Sequence, residues 1–130
     1  MERWLGKYSE GVYALVRMVV GLLFACHGAQ KLFGVFGGQD LPSSPLMVTA
    51  GVIELIGGGL VALGLWAGYA GFIASGQMAV AYFMGHAPDG FWPIVNKGEP
   101  AVLYCFAFLY IATRGSGRLS VDALAKRRRF

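Results

Sequence analysis

Charge is scarce in this chain. Charged residues make up 14% of its 130 positions and hydrophobic ones 56%, whereas an ordinary soluble domain is about 25% charged. So few ionised side chains cannot cover a folded core with a water-facing surface, which argues for a surface that meets lipid. The signatures of several enzyme classes are missing as well. No G-x-G-x-x-G, P-loop, H-E-x-x-H or C-x-x-C-H occurs, so no motif offers a seat to a dinucleotide, a nucleotide phosphate, a protease zinc or a c-type haem. The two histidines lie far apart in the chain, too weak a pattern to predict a haem or a metal. Basic residues outnumber acidic ones by 11 to 7, yet no interleaving of aromatic and basic residues accompanies them, and no nucleic acid partner is expected. No small-x-small site follows the first apolar run, so that segment is expected to remain in the protein rather than be cleaved.

Apolar runs and glycine, 20 of 130 residues, are abundant. About 20 residues of helix cross a 30 Å hydrocarbon core, and the first run, about 11–34, is long enough. From Leu46 to Gly85 the only charge is Glu54. That stretch is too long for one span and suits two, about 46–65 and 68–86, with a turn near Trp66. Pro100 suits the first turn of a last helix, about 99–114, which is short and could extend outward into the preceding loop. The sequence therefore predicts an all-α, integral membrane four-helix bundle as a single domain, with a polar, basic tail over 115–130. Small residues recur at helical spacing, at Gly71, Ser75 and Ala79 and at Gly68 and Gly76, and Gly51, Gly57, Gly58 and Gly59 crowd the second helix. Such faces let helix backbones approach closely.

Orientation follows from the basic residues. Arg3, Lys7, Arg114, Arg118, Lys126, Arg127, Arg128 and Arg129 lie in the terminal segments, whereas the loops at about 35–45 and 86–98 hold only Lys97. The positive-inside bias predicts that both termini are cytoplasmic and both longer loops external. The basic tail is also suited to anionic lipid headgroups.

An ionisable group in mid-membrane costs about 2.5–3.5 kcal/mol or more, so each one needs a partner or a role. The candidates are Arg17, His27, Lys31, Glu54, Gln77, His86 and Glu99. In the predicted topology most of them gather in the outer half of the bundle, with Glu54 about 12 Å below the outer surface at 1.5 Å per residue. Arg17 is expected to face the interior, reaching toward Glu54 as an ion pair or toward the cytoplasmic headgroups. Lys31, His86 and Glu99 either extend into headgroups or join a polar pocket for a quinone headgroup or a proton relay. In the pocket reading His27 is the first candidate, with Glu54 as its acidic partner. Cys26 and Cys105 are expected at similar depth and would form a thiol pair if the first and last helices are neighbours. No C-x-x-C accompanies them, and buried cysteine is commonly an apolar filler.

The stretches RMVVGLLFACHGAQKLFG, GVIELIGGGLVALGLWAGYAG and NKGEPAVLYCFAFLYIATRGSGRLSVDAL, in that order, resemble the DoxX family. The most specific elements are Arg17 with Gly28, Lys31 and Leu32, Glu54 with its following glycines, and Asn96, Gly98 and Glu99. The resemblance implies a bacterial inner-membrane protein in a redox setting. It leads to the expectation of a small subunit, not catalytic alone, that anchors or assists a quinone-linked complex or a homo-oligomer in the lipid bilayer. A stand-alone solute transporter or channel and a purely structural assembly protein are the alternatives.

Overall fold

A computed structural model describes residues 1–38 and 44–128, and helices joined by turns are the regular structure among them, with no strand in the described residues. The loop expected at 35–45 lies partly outside the described residues, as does Arg129 of the basic cluster. Helix α1, Glu2–Phe33, begins well before residue 11 and passes through a tight turn at Gly6–Tyr8. It stops at Gly34, whose left-handed φ of 68° returns its N–H to the Gln30 carbonyl, a helix end that glycine adopts without a Cβ penalty. Helix α2, Pro45–Leu63, opens on Pro45 with the Ser44 hydroxyl accepting from Met47 N. Both features suit a helix start. Helix α3, Ala67–Ala81, winds on through Tyr82–His86 in a wider π-turn.

A short helix α4, Pro93–Asn96, occupies the loop that the last long helix was expected to invade. Helix α5, Glu99–Arg114, starts only after it. The expected polar tail folds instead: residues 115–120 pass beneath the bundle into helix α6, Val121–Arg128.

Two pairings organise the bundle. Helix α1 lies along α2, and α3 lies along α5, while α1 and α5 keep their backbones apart and meet through side chains. On α1 the buried positions Tyr13, Arg17, Gly21, Phe24 and Gly28 recur every three or four residues, so one face turns inward. A Cβ on Gly21 would fall 2.5 Å from Ala62 N, and one on Gly58 2.5 Å from Ala25 N. Backbone contact this close gains dispersion that lipid cannot replace. Gly71 approaches the Phe108 carbonyl in the same way, but Gly57, Gly59 and Gly76 face open space, so only part of the small-residue stripe is used for packing. Between the pairs sit Phe24 and Phe108, with ring centroids 4.6 Å apart, among Val61, Ala74 and Ile111.

The outside of the bundle is apolar. Leu15, Leu22 and Leu23 on α1, Phe72 and Ile73 on α3, and Leu103 and Phe106 on α5 are all exposed. Helices α1 and α2 are each long and apolar enough to cross a membrane. In water, so large a greasy surface would drive association; in lipid it costs nothing.

Candidate functional site

The polar residues separate into two groups at opposite ends of the bundle. Glu54 anchors the first. It sits in a π-turn, Ile53–Gly57, midway along α2, and such a one-residue widening rotates the following side chains relative to a regular helix. The residue is fully buried. Its Oε1 receives Lys31 Nζ from α1 in a salt bridge and Gln77 Nε2 from α3 at 2.9 Å. Three helices thus meet at one carboxylate oxygen. The other oxygen, Oε2, and the Gln77 carbonyl oxygen are buried with no hydrogen-bond partner. Leaving such an acceptor unmade costs about 1–3 kcal/mol, and more for a charged group.

Beside Glu54 is a cavity of about 150 Å³ that Lys31, His27, His86 and Tyr104 also line. Its remaining wall, including Phe24, Met78 and Ala101, is apolar. A groove of about 470 Å³, lined in part by Gln77, shares Lys31, Ala81 and His86 with the cavity. The edge of the His27 ring meets Tyr104 at a centroid distance of 5.9 Å.

His86 is held from outside by a loop built on Asn96. Its Nδ1 lies 3.1 Å from the Asn96 carbonyl. Buried Asn96 donates to the Gly90 carbonyl at 2.7 Å and to the Tyr82 hydroxyl at 3.2 Å, and it accepts from Gly98 N at 2.8 Å. Lys97, at φ 62°, takes the left-handed turn that brings Gly98 N back to the Asn96 side chain.

The second group surrounds Arg17 at the end where the chain termini meet the α2–α3 turn. The expected Arg17–Glu54 pair does not form. Arg17 is 2% exposed, and its guanidinium donates to three carbonyls: Val61 at 2.9 Å, Leu119 at 3.0 Å, and Ser116. Val61 lies in the last turn of α2, where its carbonyl also accepts from Gly64 N at 3.1 Å, and the other two belong to the segment running beneath the bundle. Asp122 completes this hub, accepting from Trp66 N at 2.8 Å and from the Ser116 hydroxyl at 2.6 Å. Tyr13 donates to the Gly115 carbonyl at 2.6 Å, and Arg114 pairs with Glu10.

Several further expectations change. Lys31 does not simply reach for headgroups, because it is the cation of Glu54. The donors to Glu54 are Lys31 and Gln77 rather than His27. Glu99 is exposed at the start of α5, where its charge complements the helix dipole. Cys26 and Cys105 are free thiols. Because α5 packs on α3, the Cys105 thiol lies 3.5 Å from the Ser75 hydroxyl. Sequence reasoning missed Tyr104 and Tyr82 at the site, and it marked Asn96 only as part of the family resemblance, without a role. A phenol within an apolar helix is a usable signal, since a buried hydroxyl seeks a polar partner. The hub role of Asn96 depends on a loop conformation with no sequence motif beyond its neighbour Gly98.

A chain whose described residues are helical without strands, with an apolar exterior and two helices able to cross a bilayer, is a membrane protein. The DoxX family model matches residues 12–87, a span that contains Arg17, His27, Lys31, Glu54, Gln77 and His86. An uncharacterized protein of Haemophilus influenzae is 41% identical over 125 residues, covering 91% of this chain and 93% of its own length. The chain belongs to the DoxX family. No solved structure matches it.

Proposed function

We propose that this protein is a multi-pass subunit of the bacterial inner membrane that seats a quinone headgroup beside Glu54 and assists a larger redox complex. The carrying observation is the cavity itself: Lys31, Glu54, His86 and Tyr104 converge on about 150 Å³ of apolar-walled space that adjoins a larger groove. A few convergent polar groups in an apolar pocket are what a small ligand site requires. The flanking groove suits a ligand whose tail stays in lipid while its ring enters the protein. The chain has no motif for a flavin, nucleotide or haem that would let it oxidise a donor alone, so the reading places it beside a partner.

In this reading α3 and α5 cross the membrane along with α1 and α2, and both termini are cytoplasmic. The exposed Phe72, Ile73, Phe83, Leu103 and Phe106 support those spans, and the terminal basic residues support the orientation. A fluorescent protein fused after the C-terminus should fluoresce, and a periplasm-dependent phosphatase fused after Gly90 should be active. The reverse pattern would refute the topology.

The functional test is purification in mild detergent from native membranes, with partners identified by mass spectrometry and quinones by solvent extraction. Quinone should accompany the wild-type protein and be depleted at least several-fold in a Tyr104→Leu, His86→Leu variant that still folds. A homo-oligomer free of quinone and redox partners would reject the proposal in favour of solute transport or a structural role.

A further inference from the structure

Resting on the quinone-site reading above, we infer that the site selects a neutral ligand that donates hydrogen bonds from ring hydroxyls, a hydroquinone, over the corresponding quinone. The protein leaves a specific part of its hydrogen-bonding capacity unused. Glu54 is fully buried; both its donors, Lys31 and Gln77, converge on Oε1, and Oε2 has none. The orientation of the Gln77 amide is set by that carboxylate, since only the NH₂ end can face it. The Gln77 carbonyl oxygen is therefore an acceptor, and it too is buried without a donor. His86 adds a third. Its Nδ1 faces the Asn96 carbonyl, which can only accept, so Nδ1 carries a hydrogen, and the tautomer that this contact selects leaves Nε2 as an acceptor.

The residues that carry these acceptors border both spaces. Glu54 and His86 line the cavity, while Gln77 and His86 line the adjoining groove. The Tyr104 hydroxyl, on the cavity wall, can donate or accept and so does not discriminate between ligands. A quinone carbonyl brought against Glu54 Oε2 would set acceptor against acceptor, whereas a hydroquinone hydroxyl supplies the missing proton donor. A cation is not favoured in its place, because Lys31 already balances the Glu54 charge. The apolar wall, Phe24, Met78 and Ala101, suits an uncharged ring.

The test uses the full chain in mild detergent under anaerobic conditions. Three short-chain probes on one ring are titrated against it: a hydroquinone, its quinone, and its dimethyl ether. The hydroquinone should bind at least roughly tenfold tighter than either of the others, as expected where a site's buried polar groups are left unpaired by the wrong ligand. A quinone that binds as tightly or more tightly overturns this inference and leaves the quinone-site reading intact. An ether equal to the hydroquinone also overturns it, because that ligand has no donor. If none of the three binds, both the inference and the underlying reading fall.

Discussion

Replacing Arg17 with methionine is expected to destabilise the protein by about 3 kcal/mol or more. The size follows from hydrogen bonds that a charged donor makes, about 1.5–3 kcal/mol each. Three such bonds are lost together, to Val61, Ser116 and Leu119, from a side chain that is 2% exposed. Because the three share one donor their losses are not additive, so the estimate stays near the value for one or two. Arg17→Lys should rescue little of it. The planar guanidinium presents a fixed fork of donors, whereas a single ammonium on a flexible stem cannot meet three carbonyls from two separate segments. Thermal unfolding in detergent measures the loss. Proteolysis reads its location, because residues 115–128 should be cut in Arg17→Met well before the bundle melts. A methionine variant melting within about 1 °C of wild type, with its C-terminal segment still protected, would show that the Arg17 hydrogen bonds carry little stability.

The next largest effect is expected at the other end of the bundle. Lys31→Met should cost about 3 kcal/mol, because it leaves Glu54 charged, buried and without its cation. That lies at the low end of the range for buried pairs, since the Lys31 side chain is 31% exposed while that of Glu54 is 1% exposed. Adding Glu54→Gln to Lys31→Met should recover more than half of the loss, because neutral glutamine removes the uncompensated charge while keeping an amide for Gln77. A double-mutant cycle on detergent unfolding isolates the coupling. If Lys31→Met and Glu54→Gln simply add, the salt bridge is not what holds α1 to α2 at this depth.

The contrast between these two sites shows what could be read from the chain. Charge depletion and the length of the apolar runs point to a helical membrane protein, because both are one-dimensional properties that lipid imposes residue by residue. Glu54 was conspicuous for the same reason, as the only charge between Leu46 and Gly85. Its partner was not. Arg17 and Lys31 stand about four helical turns apart on one face of α1, so helical phase favours neither. The choice depends on how far α2 slides along α1. The close approach of Gly21 and Gly58 backbones sets that register, placing Lys31 level with Glu54 and Arg17 level with Val61.

The C-terminal segment taught the same lesson in reverse. Residues 115–120 read as polar tail because nothing in their hydropathy predicts a fold. They are ordered by Arg17, almost a hundred positions earlier, and by Asp122, which accepts from the start of α3. Cys105 shows the same dependence on neighbours: its helix packs on α3, and its thiol lies beside the Ser75 hydroxyl, a contact no local spacing announces.

By itself, then, the sequence determined the solvent, the helical class and which polar residues needed explaining, since these follow from composition and local spacing. Only the tertiary structure decided which polar groups meet. That depends on helix register and neighbour choice, which are fixed by backbone contacts between segments distant in the chain and leave no local periodic trace.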